Sequence, residues 1–283
     1  MKGMDMLTIG CHQPNEGGYI AMAGEALALD ANTFQFFLRN PRGGHARPVD
    51  PADVEDFNKF AAEHKLGPVV GYASYTMNLA APNMKERDYA KMIFAQDLAV
   101  MEETPHQLYA MHCGFADGAS ADEALRNLAD SINETLTAHQ TTKIMLMTMA
   151  GRGSEICGTF ESLKQVLDGI KLSDHVGVCF DACNVFDAGY DIVNDLDGVL
   201  KQFDDVIGLD RIGMVHLNDS RYGEGSHEER HATIGEGAIG FDALTALTNA
   251  KAFAGKPFII EEPHGTLEEY KQDIAKFRAA YQG

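Results

Sequence analysis

Eight short apolar, β-rich runs recur along this chain, each followed by a helix-like segment. That alternation restricts the fold more than any other feature. The runs span residues 7–11, 33–39, 68–73, 108–113, 143–149, 175–181, 212–218 and 257–262. Several, such as VGVCF and PFIIEE, are nearly continuous hydrophobics, the pattern of parallel strands covered on both faces. Eight strand–helix repeats predict a closed (β/α)8 TIM barrel that occupies residues 1–283 as one α/β domain. The alternative is an open doubly wound sheet, but no GxGxxG follows the first run to support it.

The intervening segments carry helix signals. Asp50-Pro51 places a cap before a proline at the first helical position, and Gly67 is expected to end that helix. Ser120 with Glu123, and Thr266 with Glu269, have capping-box spacing. Phe160, Leu163, Val166, Leu167 and Ile170 fall on one helical face. No linker or low-complexity tract divides the chain.

Charge and cysteine usage narrow the function classes. The 283 residues carry 23 Lys+Arg against 42 Asp+Glu, a net charge of −19. Such a chain does not adhere nonspecifically to nucleic acid, so any DNA contact needs a local basic segment or bound cations. Five cysteines without a CxxC pair read as reduced thiols of a cytoplasmic protein. The opening MKGMDMLTIG is too short and interrupted for a secretory signal. No apolar run approaches the roughly 18 residues that span a bilayer. A monomer without membrane contact is expected.

In such barrels chemistry sits at the C-terminal ends of the strands. The run ends supply His12, Arg39-Asn40, Tyr72, His112, Met147, Asp181, His216 and Glu261. Any single one of these, a lone His above all, reads first as a rim residue bonded to a loop. Asp181, His216 and Glu261 on three successive strand ends read as a shared site, because lone buried charges are costly. Their donor types suit Zn²⁺ or Mn²⁺.

The stretches VGVCFDACNVFDAGYDIVNDLDGV (176–199) and VHLNDSRYGEGSHEERHATIGEGAIG (215–240) resemble the signatures of the endonuclease IV family, metal-dependent abasic-site endonucleases. FQFFLRNPRGG (34–44), SYTMNLAAP (74–82), MAGRGSEICG (149–158) and FIIEE (258–262) extend the resemblance over essentially the whole chain. It implies a hydrolase of DNA repair that cuts the phosphodiester 5′ to an abasic sugar, using three zinc ions. Carried over residue by residue, the first-ion positions fall on Tyr72, His112 and Met147. The second-ion set adds Asp181, His216 and Glu261, and the third falls on Asn184, Glu229 and His231. Metal ligands are therefore expected at Asp181, His216, Glu261, His231, Glu229 and His112, with Asp181 and Glu261 as the catalytic pair. Tyr72, Met147 and Asn184 depart from the family pattern. Fewer than three ions are expected, about one, zinc or manganese. Met147 cannot bridge two cations, and Tyr72 can coordinate only as a phenolate.

Arg39, Arg42 and Arg47 with His45 form a basic island after the second run. It reads either as a solvated loop or, with the resemblance, as a DNA backbone contact, with Tyr75 in a second such loop. The five cysteines, Cys11, Cys113, Cys157, Cys179 and Cys183, read as buried small hydrophobes rather than replacement ligands. Glu262 and His264 are open as substitutes. Two further readings stand beside the nuclease: a single-metal sugar isomerase or epimerase on a related barrel, and a non-catalytic descendant that keeps the fold.

Overall fold

The computed structural model describes residues 6–41, 44, 46, 48–263 and 266–283. Eight parallel strands close into the expected barrel in the order β1-β10-β7-β6-β5-β4-β3-β2. These are β1 (Ile9–Gln13), β2 (Gln35–Phe37), β3 (Val70–Tyr72), β4 (Leu108–Met111), β5 (Lys143–Met147), β6 (Val176–Asp181), β7 (Ile212–His216) and β10 (Phe258–Ile260). Two short strands, β8 (Asp219–Ser220) and β9 (His231–Ala232), pair antiparallel above the barrel. Closure joins the two ends of the chain, with Ile9 opposite Phe258 on one side and His12 opposite Gln35 on the other.

The helices are α1 (Tyr19–Ala28), α2 (Pro51–His64), α3 (Met84–Met101), α4 (Ala121–Thr135), α5 (Phe160–Gly169), α6 (Ala182–Asp187), α7 (Leu196–Val206), α8 (Gly240–Asn249) and α9 (Leu267–Ala280). Asp50 caps α2 as expected, its carboxylate accepting from Ala52 N. That helix stops earlier than expected, however: Lys65, not Gly67, takes the left-handed conformation at φ 55°. Ser120 caps α4 by accepting from Glu123 N at 3.2 Å. At α9, Thr266 N donates to the Glu269 carboxylate at 2.8 Å. Phe160, Leu163, Val166 and Leu167 form the buried face of α5.

Strand alternation divides the side chains between barrel interior and helix layer. On β6, Phe180 points outward and packs against Phe203 of α7 and Phe253, at centroid distances of 5.9 and 5.2 Å. Its neighbour Asp181 faces the interior. Near the opposite end, Gly177 and Gly213 leave room for Met145: a Cβ on Gly213 would stand 2.3 Å from its sulfur. Met145 thus fills the lower barrel, and the polar strand ends above it remain available for a site.

Candidate metal centre

Asp181 ends β6 and at once caps α6, its Oδ1 accepting from Asn184 N at 2.8 Å. Aspartate is a preferred cap, which explains how the strand passes directly into a helix. The cap fixes the carboxylate and leaves Oδ2 facing inward, 3.1 Å from Asn218 Nδ2 and 3.2 Å from His216 Nδ1. Asp181 and His216 are register partners on β6 and β7. Glu261 follows β10, its backbone N–H bonded to Asn218 Oδ1 at 2.8 Å and its Oε2 3.4 Å from His216 Nδ1. One donor atom from each of Asp181, His216 and Glu261 lies within 4.8 Å of the others. Among the described residues this is the one His/Cys/Asp/Glu group with metal-binding spacing.

Gln35, which sequence reasoning passed over, organises this group. Its Oε1 lies 2.7 Å from His216 Nε2, and its Nε2 donates to Glu261 Oε1 at 2.6 Å and lies 3.2 Å from His12 Nδ1. Because the amide oxygen only accepts, Nε2 of His216 carries the hydrogen. Nδ1 is then the ring atom left for the carboxylates or for a cation. The available signal was an amide inside an apolar strand run, at the position that pairs with His12.

Electrostatics agree with a cation-seeking pocket. Burial opposes a charge on His216, yet Cys179, Glu261 and Asp181 together hold it well above its usual value. Burial also opposes the Asp181 carboxylate, but the bond and charge of His216 pull it below the usual range. The carboxylates thus favour positive charge at His216, which a divalent ion held by the three residues would supply instead.

Tyr72, His112 and Met147 form a different cluster beside it. Tyr72 Oη lies 3.0 Å from His112 Nε2 and donates to Met147 Sδ at 3.3 Å. Burial, reinforced by Glu261 and Glu229, raises Tyr72 well above its ordinary value, so it stays a phenol. Burial likewise pushes His112 down to about 4. A phenol, a neutral imidazole already engaged and a thioether supply no negative charge, so this donor set does not suit a second cation.

The chain matches the Xylose isomerase-like TIM barrel family over residues 24–280. It is 44% identical over 276 residues to a probable endonuclease 4 of Alkaliphilus oremlandii, with 98% of each chain covered. A probable endonuclease 4 of Methanosphaera stadtmanae is 42% identical, covering 98% of this chain and 100% of its own length. The crystal structure of endonuclease IV from Thermus thermophilus superposes with a TM-score of 0.85 at 29% identity, over 96% of this chain and 98% of that one. The chain belongs to the endonuclease 4 family. A D-tagatose 3-epimerase-like protein, with a TM-score of 0.72 at 18% identity over 96% and 97% of the two chains, has the same barrel fold.

Measured against the ligand set that endonuclease 4 resemblance implies, three of the remaining positions line the cavity that Glu261 also faces but are not part of the 4.8 Å group. His112, Glu229 and His231 line the same cavity of about 1020 Å³ above the barrel. Glu229 Oε1 is 3.9 Å from His112 Nε2, and His231 Nε2 is 3.3 Å from Asn218 Nδ2. Burial, with Glu155, Asp181 and Glu261 nearby, pushes Glu229 up to about 8. Both amide atoms of Asn184 are buried without a hydrogen-bond partner. Glu262 turns away from the group, its Oε2 accepting from Ile234 N at 2.9 Å. All five cysteines are free and buried.

One expected DNA contact is corrected. Arg39 is only 4% exposed, and its Nε and Nη2 both donate to Asp97 Oδ1, at 2.9 and 2.6 Å. Nη1 donates to Gly44 O at 2.8 Å, while Tyr109 Oη donates to Asp97 Oδ2 at 2.8 Å. With Nε, Nη1 and Nη2 each donating inside the protein and its side chain 2% exposed, Arg39 is held by Asp97 and Gly44 rather than presented to a phosphate. Arg42, Arg47, His45 and His264 lie outside the described residues. Tyr75, 50% exposed, rests edge-on against Phe37 and Tyr72 at the cavity mouth. The same cavity is lined by exposed Arg152, Arg221 and Arg230, basic residues that sequence reasoning did not single out. They are scattered through two loops, so only the fold gathers them. Among the described residues no helix is long and apolar enough to cross a membrane.

Proposed function

We propose that this protein is an endonuclease 4-type phosphodiester hydrolase that acts at abasic sites in DNA with one tightly held divalent ion, zinc or manganese. The observation that carries this reading is the Asp181/His216/Glu261 group, whose three donors lie within 4.8 Å on adjacent strand ends. These residues fit such an ion, and when bound it would polarise a phosphoryl oxygen and make bound water more acidic. Gln35 keeps His216 in the tautomer with Nδ1 turned to the carboxylates, and Asn218 orients Asp181 and Glu261. Glu261, the most accessible of the three, faces the cavity and takes the proton of the attacking water. Tyr75 and Phe37 give the mouth an aromatic wall, and Arg152, Arg221 and Arg230 offer charge to backbone phosphates. The sugar-epimerase alternative needs a carboxylate near position 147, where this chain has a thioether.

The test is a labelled duplex with one abasic site, incubated with metal-loaded protein and after chelation. Cleavage that needs metal and disappears in Asp181→Asn supports the reading. A metal-loaded protein that binds the duplex yet leaves it intact supports the non-catalytic descendant instead.

A further inference from the structure

The strand that leads to Glu261 stops short of it. β10 ends at Ile260, whose register partner is Cys11, so Glu261 lies one residue past that last pair. Two side chains hold the backbone there. Asn218 Oδ1 accepts the Glu261 N–H at 2.8 Å, which ties down the peptide before the carboxylate residue. The peptide after it is tied by Tyr270, whose hydroxyl accepts the Glu262 N–H at 3.1 Å and donates to Glu262 O at 3.0 Å. A planar peptide leaves only φ and ψ free at each residue, so fixing both flanking peptides sets the direction in which the Glu261 side chain leaves the chain.

We propose that Tyr270 is a positioning residue for Glu261, aiming its carboxylate at Asp181 and His216 through a clasp on the neighbouring peptide. Tyr270 lies near the start of α9, where the Thr266/Glu269 capping box fixes the first turn. The residue is only 7% exposed. Packing alone would be served by phenylalanine, and it is the polar tip of the ring that reaches the Glu262 backbone. The clasp thus joins the last helix to the end of the last strand, beside the one ligand of the group that the sheet does not hold. Tyr270 acts through the backbone, and its effect on metal binding rests only on the Asp181/His216/Glu261 group. Its effect on turnover rests in addition on the nuclease reading.

Tyr270→Phe removes the hydroxyl and keeps the ring. Competition of the full-length protein against a zinc chelator should show affinity weakened about tenfold or more, the range expected when a partner that orients a ligand is lost. With zinc saturating, kcat on an abasic duplex should fall about ten- to hundredfold, as for a misplaced catalytic group, while KM changes by less than about twofold. Tyr109→Phe controls for a merely structural loss. It removes a buried hydroxyl that bonds Asp97 of α3 at 2.8 Å, and it should leave zinc affinity and kcat unchanged. Unaltered zinc affinity in Tyr270→Phe overturns the proposal, as does an equal loss in Tyr109→Phe or a loss carried by KM alone. Zinc affinity that depends on the Tyr270 hydroxyl, in a protein that leaves the duplex intact, upholds the positioning role and refutes the nuclease reading instead.

Discussion

Gln35 Oε1 accepts the Nε2 hydrogen of His216 at 2.7 Å. The contact decides which ring nitrogen faces Asp181 and Glu261. Partners of this kind typically change metal affinity 10–100-fold when removed. Gln35→Leu should therefore weaken zinc binding by about that factor while the barrel stays folded. A competition titration against a zinc chelator reads the change. Unaltered affinity would mean that His216 holds its tautomer without help.

The barrel was legible because its strands are covered on both faces, so VGVCF and PFIIEE appear as continuous apolar runs. The central group was legible for a related reason: a carboxylate or imidazole at the end of such a run has few places to go. Gln35 was not legible. An uncharged amide in an apolar run looks like a tolerated polar residue until its partner, 181 positions away, is known. Arg39 failed in the opposite direction. Its charge is visible in sequence, but the Asp97 carboxylate that consumes it lies 58 residues on.

Metal content follows from the same geometry. About one ion per chain should survive dialysis, because among the described residues the Asp181/His216/Glu261 group alone has three converging donors. His216→Ala should lose it, whereas His112→Ala should retain it, since His112 is committed to Tyr72. Elemental analysis of the two variants separates these outcomes. Three retained ions in the natural protein would show that donors outside this group bind metal after all.

The Arg39–Asp97 pair should act on stability rather than on DNA. Asp97→Ala leaves a buried guanidinium unpaired, at a cost of about 3–5 kcal/mol. Replacing both residues together, Arg39→Met with Asp97→Leu, should recover most of that loss. Urea denaturation of the single and double variants measures the recovery. Arg39 would regain its place as a phosphate contact only if the folded double variant bound DNA with a flatter salt dependence.

DNA affinity should instead depend on the arginines around the upper cavity. Every phosphate that a variant no longer neutralises lowers the log–log salt slope by about 0.9. Arg152→Ala with Arg221→Ala should thus reduce the slope by close to two such steps, uniformly across sequences. Fluorescence anisotropy on an abasic duplex over a range of salt is sufficient. A slope unmoved by these changes would place the phosphate-binding residues elsewhere, with Arg42 and Arg47 the next candidates.

The last prediction concerns the Tyr72–His112–Met147 cluster. A phenol that donates to a thioether at 3.3 Å fills the space with neutral groups. A carboxylate introduced alone at position 147 would be buried without a cation, so Met147→Glu by itself should destabilise the barrel. Tyr72→His removes the phenol at the same time and leaves His112 free to act as a ligand. The paired change therefore presents two imidazoles and a carboxylate beside the existing group, a donor set suited to zinc. The double variant should bind at least one more zinc than the natural protein. It should also cleave an abasic duplex faster by orders of magnitude, because a second cation contributes several kcal/mol of charge stabilisation in the transition state. Adding Asn184→His gives the orphaned amide position a ligand and should extend the gain. Natural, double and triple proteins are compared with excess zinc on one labelled duplex. Equal rates for all three would mean that the Tyr72 cluster already does what the extra metal would do. Variants that take up zinc but remain inert would place the deficit in substrate binding rather than in charge stabilisation.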